Sequence, residues 1–207
     1  MQNFTSHTPE TAPADARPLL EDARRQYGMV PNLYAKMAEA PVLLQAYRQI
    51  AELFSRSGLD PTEQQVVLLT VSRMNDCAYC MGAHSVLADA AGVPAEVTDA
   101  IRNDEPVHDA RLEALRRFTA RLVETRGWLD DADIRAFLAA GYTRANVLEV
   151  VLGVGQKTLS NYTNHIVGTD LDAAFSSRAW QAPDERGSAV RTRGRRPERP
   201  GGRGGMR

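Results

Sequence analysis

The chain has 207 residues, of which 43% are hydrophobic, 25% charged and 6% aromatic. That length and apolar content suit one ordinary domain with a substantial core, and exclude collagen-like, coiled-coil and wholly disordered classes. The net charge of −1 hides two unlike parts: Arg186 to Arg207 hold eight arginines against the single carboxylate of Glu198, while the rest of the chain is acidic.

The start, MQNFTSHTPETAPADARP, lacks a basic stretch followed by an apolar run, and no run of about 18 uncharged apolar residues occurs anywhere, so a cytoplasmic protein with no membrane partner is expected. Helix punctuation then recurs along the chain. Pro18 to Tyr27 reads as a helix stopped by Gly28, with Met29-Val30-Pro31-Asn32 as a turn. Pro41 to Ser57 carries Val42, Leu43, Ala46, Ile50, Leu53 and Phe54 at helical spacing, ahead of Gly58. Asp60-Pro61-Thr62-Glu63 is a strong start signal: a capping Asp, Pro in the first turn, and Glu reaching back. Gln65 to Arg73 is apolar nearly all round, which predicts a central, buried helix.

Asn75-Asp76 breaks the pattern, and Asp76 is expected to cap a helix from Cys77 to Ala91, closed by Gly92. Pro94 to Asn103 is short and amphipathic. Ala110 to Arg126 presents Leu112, Leu115, Phe118 and Leu122 as one stripe and ends at Gly127; Asp130 to Ala140 ends at Gly141. Thr143 caps a last long helix through Leu148, Val151, Leu152 and Leu159 to Ile166, followed by a helical turn from Leu171 to Phe175. Val66-Val67 and Val150-Val151 have strand-like composition, but helix caps flank them and no hairpin turn does. The expected fold class is all-α. The expected organisation is a loose N-terminal segment over 1–17, a helical domain over 18–176, and an Arg/Gly/Pro-rich tail over 177–207 whose composition changes sharply from Ala182 and cannot bury enough surface to fold.

The chemistry concentrates in Cys77-Ala78-Tyr79-Cys80-Met81-Gly82-Ala83-His84. At about 100° per residue, Cys77, Cys80 and His84 share one face of a helix within a sector of roughly 60°. A thiol in the first turn feels the positive end of the helix dipole, which favours thiolate. An activated sulfur, a second thiol to resolve its sulfenic acid, and a His within one turn are the parts that redox thiol catalysis needs. Cys77, Cys80 and His84 are also of metal-ligand type, but a closed zinc site wants four ligands and no further cysteine exists, so no metal or cofactor is expected. Asn161, Tyr162 and His165 lie within two turns of the last helix, as a second candidate pocket lining or as a polar interface face. The arginine-rich tail suits nonspecific attraction to phosphate, but no aromatic residue follows Trp180 to stack on bases, so no specific nucleic-acid partner is expected.

Leu59-Asp60-Pro61-Thr62-Glu63, the apolar helix after it, and Asn75 through Ser85 together resemble the carboxymuconolactone decarboxylase family, in its alkylhydroperoxidase AhpD-like branch. The resemblance extends from about Pro18 to Phe175, including Gly28-Met29-Val30-Pro31-Asn32-Leu33 and Leu159-Ser160-Asn161-Tyr162-Thr163-Asn164-His165. It implies an all-helical fold assembled as a homo-oligomer, trimer or hexamer. It also implies thiol-dependent reduction of a hydroperoxide, with turnover completed by a protein dithiol or lipoylated reductant. Carried over by position, Cys80 attacks, Cys77 resolves and His84 belongs to a proton relay. Two positions depart from the AhpD pattern: the relay Glu falls at Gln65, leaving Glu63 as the nearest carboxylate, and the His before the second cysteine is Tyr79. The decarboxylase branch generally lacks the cysteine pair; a lactone decarboxylase using His84 or His165, and a non-enzymatic disulfide sensor, are the rival readings.

Overall fold

A computed structural model describes residues 4–182, which form helices joined by short turns, with no strand among the described residues. In chain order these are α1 (Arg17–Tyr27), α2 (Asn32–Met37), α3 (Pro41–Ser55), α4 (Pro61–Met74), α5 (Ala78–Ala90), α6 (Ala95–Asn103), α7 (Ala110–Thr125), α8 (Asp131–Ala139) and α9 (Arg144–Val167), with 3-10 turns at Ala14–Ala16 and Ala173–Arg178. The expected all-α class is what the structure shows. No single helix among the described residues is long and apolar enough to cross a membrane.

The start signal at Asp60 works as the spacing predicts. Its carboxylate accepts the Glu63 amide at 2.9 Å, and the Glu63 carboxylate accepts the Asp60 amide at 2.9 Å, with Pro61 opening the helix. The α4 helix that follows is buried along Val66, Val67, Leu68, Leu69, Thr70, Val71 and Ser72, because α5, α6, α7 and α9 all pack around it. Two cores result. One joins Phe54, Val67, Leu69 and Met81 to Leu115, Phe118 and Phe137; the other joins the N-terminal elements, through Ala16, Leu20, Leu33, Met37, Leu44 and Tyr47, to Cys77, Tyr79, Cys80 and Ala83 at the start of α5. The two cysteines are therefore core residues of the second cluster, roofed by α2 and α3.

Several local expectations change in the folded chain. The turn before residue 33 is the entry to α2, whose first amide, at Asn32, is capped at 3.0 Å by Asp172 from the other end of the domain. No neighbouring residue supplies that cap, so the local sequence does not announce the helix. Asp76 does not cap α5. It sits at φ 51° and closes α4, with the Asp76 and Cys77 amides donating to the Arg73 and Ser72 carbonyls, so Cys77 itself stands at the N-cap of α5. The apolar stripe read on α9 faces outward in part: Leu148 and Val151 are exposed, while Val150, Gly153, Lys157, Ser160, Asn161 and Asn164 face the interior. Val42 and Leu53 of α3 are likewise exposed, and Leu44, Tyr47 and Phe54 are buried.

The ends also pack further than composition suggests. Ala12 and Ala16 are buried, and the His7 amide donates to the Ala35 carbonyl. Beyond α9 the last turn runs over Ala173–Arg178 rather than Leu171 to Phe175, Arg178 pairs with Asp89 and Asp99, and Trp180 donates to the Arg102 carbonyl. The expected tail thus begins later than residue 177; the part from 183 on lies outside the described residues.

Gly153 shows how tightly α9 is seated. A Cβ there would lie 2.8 Å from Phe54 Cζ and from Val67 Cγ1. Gly→Ala in an open helix is worth about 1 kcal/mol of stability, but Gly153→Ala is expected to lose about 1–3 kcal/mol instead through overpacking. A urea midpoint raised by the substitution would show that α9 does not press on α3 and α4 as described.

Candidate active site

Cys77 precedes α5 and Cys80 sits in its first turn. Asn164, in the last turn of α9, ties the two together: its Nδ2 donates to Cys80 Sγ at 3.2 Å and to Cys77 Sγ at 3.7 Å. Ser160, one turn earlier on the same face, places its Oγ 3.7 Å from Cys80 Sγ. Both thiols are free, and both are buried. Cys80 nevertheless lines a cavity of about 340 Å³, whose walls are mostly apolar and aromatic (Leu33, Tyr34, Tyr47, Tyr79, Phe175) and whose polar residues include His84, Gln156 and Lys157.

The two sulfurs are electrostatically unlike. Burial opposes a charge on Cys80, but a hydrogen bond from the Cys77 thiol, the charge of Lys157 and the Ser160 hydroxyl outweigh it, and its thiol is held well below the ordinary range. For Cys77 the hydrogen bond to Cys80 and burial act together and push the thiol up. The two directions favour charge on Cys80 and the proton on Cys77.

His84 is also buried. Its Nδ1 lies 3.1 Å from Gln65 Oε1, an oxygen that only accepts, so Nδ1 carries the proton and Nε2 remains an acceptor. Burial, and then the charge of Lys157, hold its pKa well below 6.5, so the ring is neutral. The unfolded chain binds a proton near pH 6.5 that the folded chain refuses, and stability therefore falls as pH drops below that value. His84→Gln is expected to flatten this part of the acid limb in urea midpoints taken across mildly acidic pH; an unchanged slope would mean that His84 protonates in place.

The sequence-derived candidates divide cleanly. Cys77, Cys80, His84, Gln65 and Tyr79 are brought together, with the Tyr79 hydroxyl donating to Asp172 at 2.6 Å and accepting from the Leu33 amide at 3.3 Å. Glu63 is not among them: its carboxylate caps α4 and pairs with Arg111 at 2.9 Å, and neither residue lines the cavity. Asn161 faces inward but is engaged by Asn75 at 2.9 Å, and Tyr162 and His165 are exposed on α9. The residues that do reach the sulfurs from α9 are Ser160 and Asn164, with Lys157 in the same cavity. Their seven-residue, two-turn repeat was the available signal, hidden because the leucines and valines of α9 suggested a different inward face. Among the described residues, no cluster of three His, Cys, Asp or Glu side chains is arranged to hold a metal ion.

Known proteins share the fold. Over 84% of this chain and 96% of the other, the structure superposes on an alkylhydroperoxidase AhpD-core, uncharacterized peroxidase-related protein from Ralstonia eutropha JMP134, with TM-score 0.73 and 19% identity. It matches an uncharacterized peroxidase-related protein from Silicibacter sp. TM1040 over 86% and 98% of the two chains, with TM-score 0.72 and 18% identity. The debrominase Bmp8 matches over 86% and 96%, with TM-score 0.71 and 16% identity. No curated protein matches the chain by sequence. Residues 41–121, from the start of α3 into α7 and including both cysteines, match the carboxymuconolactone decarboxylase family. Residues 41–121 of the chain thus form a segment of the carboxymuconolactone decarboxylase kind, and the chain has the helical fold of the AhpD-core proteins.

Proposed function

We propose that the protein is a thiol-dependent peroxidase of the alkyl hydroperoxide reductase-like kind. The matched family segment and the fold support an enzyme of peroxidase-related or decarboxylase type; the observation that favours the first is the pair of free thiols bridged by Asn164, with Cys80 lining a mostly apolar cavity and favoured over Cys77 to carry charge. The Cys80 thiolate attacks the outer oxygen of a hydroperoxide, the O–O bond breaks, and Cys80 becomes a sulfenic acid as an alcohol leaves. The Cys77 thiol then displaces water from that sulfenic acid to form a disulfide. A dithiol protein or lipoylated partner returns the pair to the reduced state. Decarboxylation of a lactone would draw only on acid–base groups such as His84 and would leave the two sulfurs without work.

The purified protein is expected to consume hydroperoxide catalytically with dithiothreitol as reductant; no consumption above the thiol background would overturn the reading. A second reading rests on the aromatic walls and on the likeness to a debrominase, one structure of which holds 2,3,4-tribromopyrrole. The same thiol pair would exchange ring bromine for hydrogen, releasing bromide and forming the disulfide. Bromide release from that compound in place of peroxide consumption would favour it. Leu148, Val151, Tyr162 and Ile166 expose apolar surface along α9, which suits self-association into the trimer or hexamer expected from the resemblance. Light scattering at micromolar concentration is expected to show more than a monomer.

A further inference from the structure

Lys157 is wholly buried in the interior of α9, and its Nζ has no hydrogen-bond partner and no carboxylate partner among the described residues. A bare ammonium in that position is strongly disfavoured, so it must either lose its proton or face an anion. It lines the same cavity as Cys80 and lies on the helix face that brings Ser160 and Asn164 to the sulfurs, with Asn164 two turns further along in the same register.

The titratable groups around it come from every neighbouring element. Tyr34 of α2, Tyr47 of α3 and Tyr79 of α5 are each pushed up by burial and stay neutral. Tyr27 stands at the end of α1, on the cavity wall. His84 is neutral, Cys77 keeps its proton, and the Asp172 carboxylate is taken by the Tyr79 hydroxyl and the Asn32 amide. The α4 neighbour, Gln65, cannot ionise. Among the described residues, Cys80 is the one group left to be the anion.

We propose that Lys157 and Cys80 form a buried ammonium–thiolate pair, and that Lys157 supplies the proton that the glutamine at position 65 cannot relay. The inference rests on Cys80 being the reactive thiol of the peroxidase reading. In the reduced protein the pair is neutral overall. When the thiolate attacks, the S–O bond forms, the O–O bond breaks, and the departing alkoxide takes a proton from the Lys157 ammonium to leave as alcohol. Cys80 is then an uncharged sulfenic acid and Lys157 an uncharged amine, so the dry interior holds no lone charge on either side of the step. Reduction of the later disulfide by the external dithiol restores one thiolate and one ammonium.

The test is the pH profile of Cys80 alkylation in the reduced full chain, read by ultraviolet thiolate absorbance and assigned by mass spectrometry, in the parent protein, Lys157→Met and Lys157→Arg. The parent is expected to alkylate with a midpoint well below that of a free thiol. Lys157→Met should move the midpoint upward by about two units, which is about a hundredfold in the ionisation constant; Lys157→Arg should restore most of the shift. Superimposable profiles in the parent and Lys157→Met would overturn the proposal. Cys80→Ser gives an independent arm that keeps the lysine in its setting. By carbon NMR of its ε-methylene, Lys157 should be protonated in the parent at neutral pH and deprotonated in Cys80→Ser; a lysine charged in both would sink the pairing. Neither readout uses peroxide, so an intact pair without peroxide turnover would count against the peroxidase reading alone.

Discussion

Cys80→Ser is expected to abolish peroxide turnover, and Cys77→Ser to stop it after a single equivalent. A serine at position 80 keeps the hydrogen-bond geometry toward Asn164 and Ser160 but has neither the acidity nor the polarizability of a thiol, so the attack on oxygen fails. With Cys77 replaced, Cys80 still reacts once, and its sulfenic acid persists because no neighbouring sulfur condenses with it. Stopped-flow peroxide consumption and a sulfenic-acid trap read by mass spectrometry distinguish the two variants. An adduct in Cys80→Ser and none in Cys77→Ser would reverse the attacking and resolving roles, and full activity in both would end the peroxidase reading. The asymmetry that predicts this order is electrostatic: Lys157 and the Cys77 hydrogen bond favour charge on Cys80, whereas at Cys77 the hydrogen bond to Cys80 and burial outweigh the pull of the same lysine.

The largest effect on stability is expected at Phe137. Its ring is buried and stacked on both faces, 4.2 Å from the Phe118 centroid and 4.4 Å from that of Tyr142, so it holds α8 to α7 and to the chain entering α9. Phe137→Ala removes both stacking partners' contact and leaves a cavity that three helix segments cannot readily close, at a cost of about 3–5 kcal/mol. Phe137 belongs to the core around α7 and α8, and the cysteines to the other. The peroxide rate per folded molecule should therefore stay at the parent value while the denaturant midpoint falls. A loss below about 1 kcal/mol would mean that the region collapses around the smaller side chain.

The helical class, the capping box that launches α4, the buried character of that helix and the thiol pair with its histidine were all legible in the residues themselves, because each depends on neighbours within about one or two helical turns. Gln65 was legible too, as the place where a carboxylate of the AhpD relay is missing; the fold adds that its amide oxygen sets the tautomer of His84. What the tertiary structure alone decided has a common cause, partners that are distant in the chain. The cap of α2 comes from Asp172, which no local pattern could supply. Glu63 is drawn away from the cysteines by Arg111 of α7. The rotation of α9 follows from Gly153 fitting against Phe54 and Val67, and that contact turns Lys157, Ser160 and Asn164, rather than Tyr162 and His165, toward the sulfurs. A helix carrying apolar residues on more than one face does not state in its sequence which face is buried; the close approach permitted at a single glycine does.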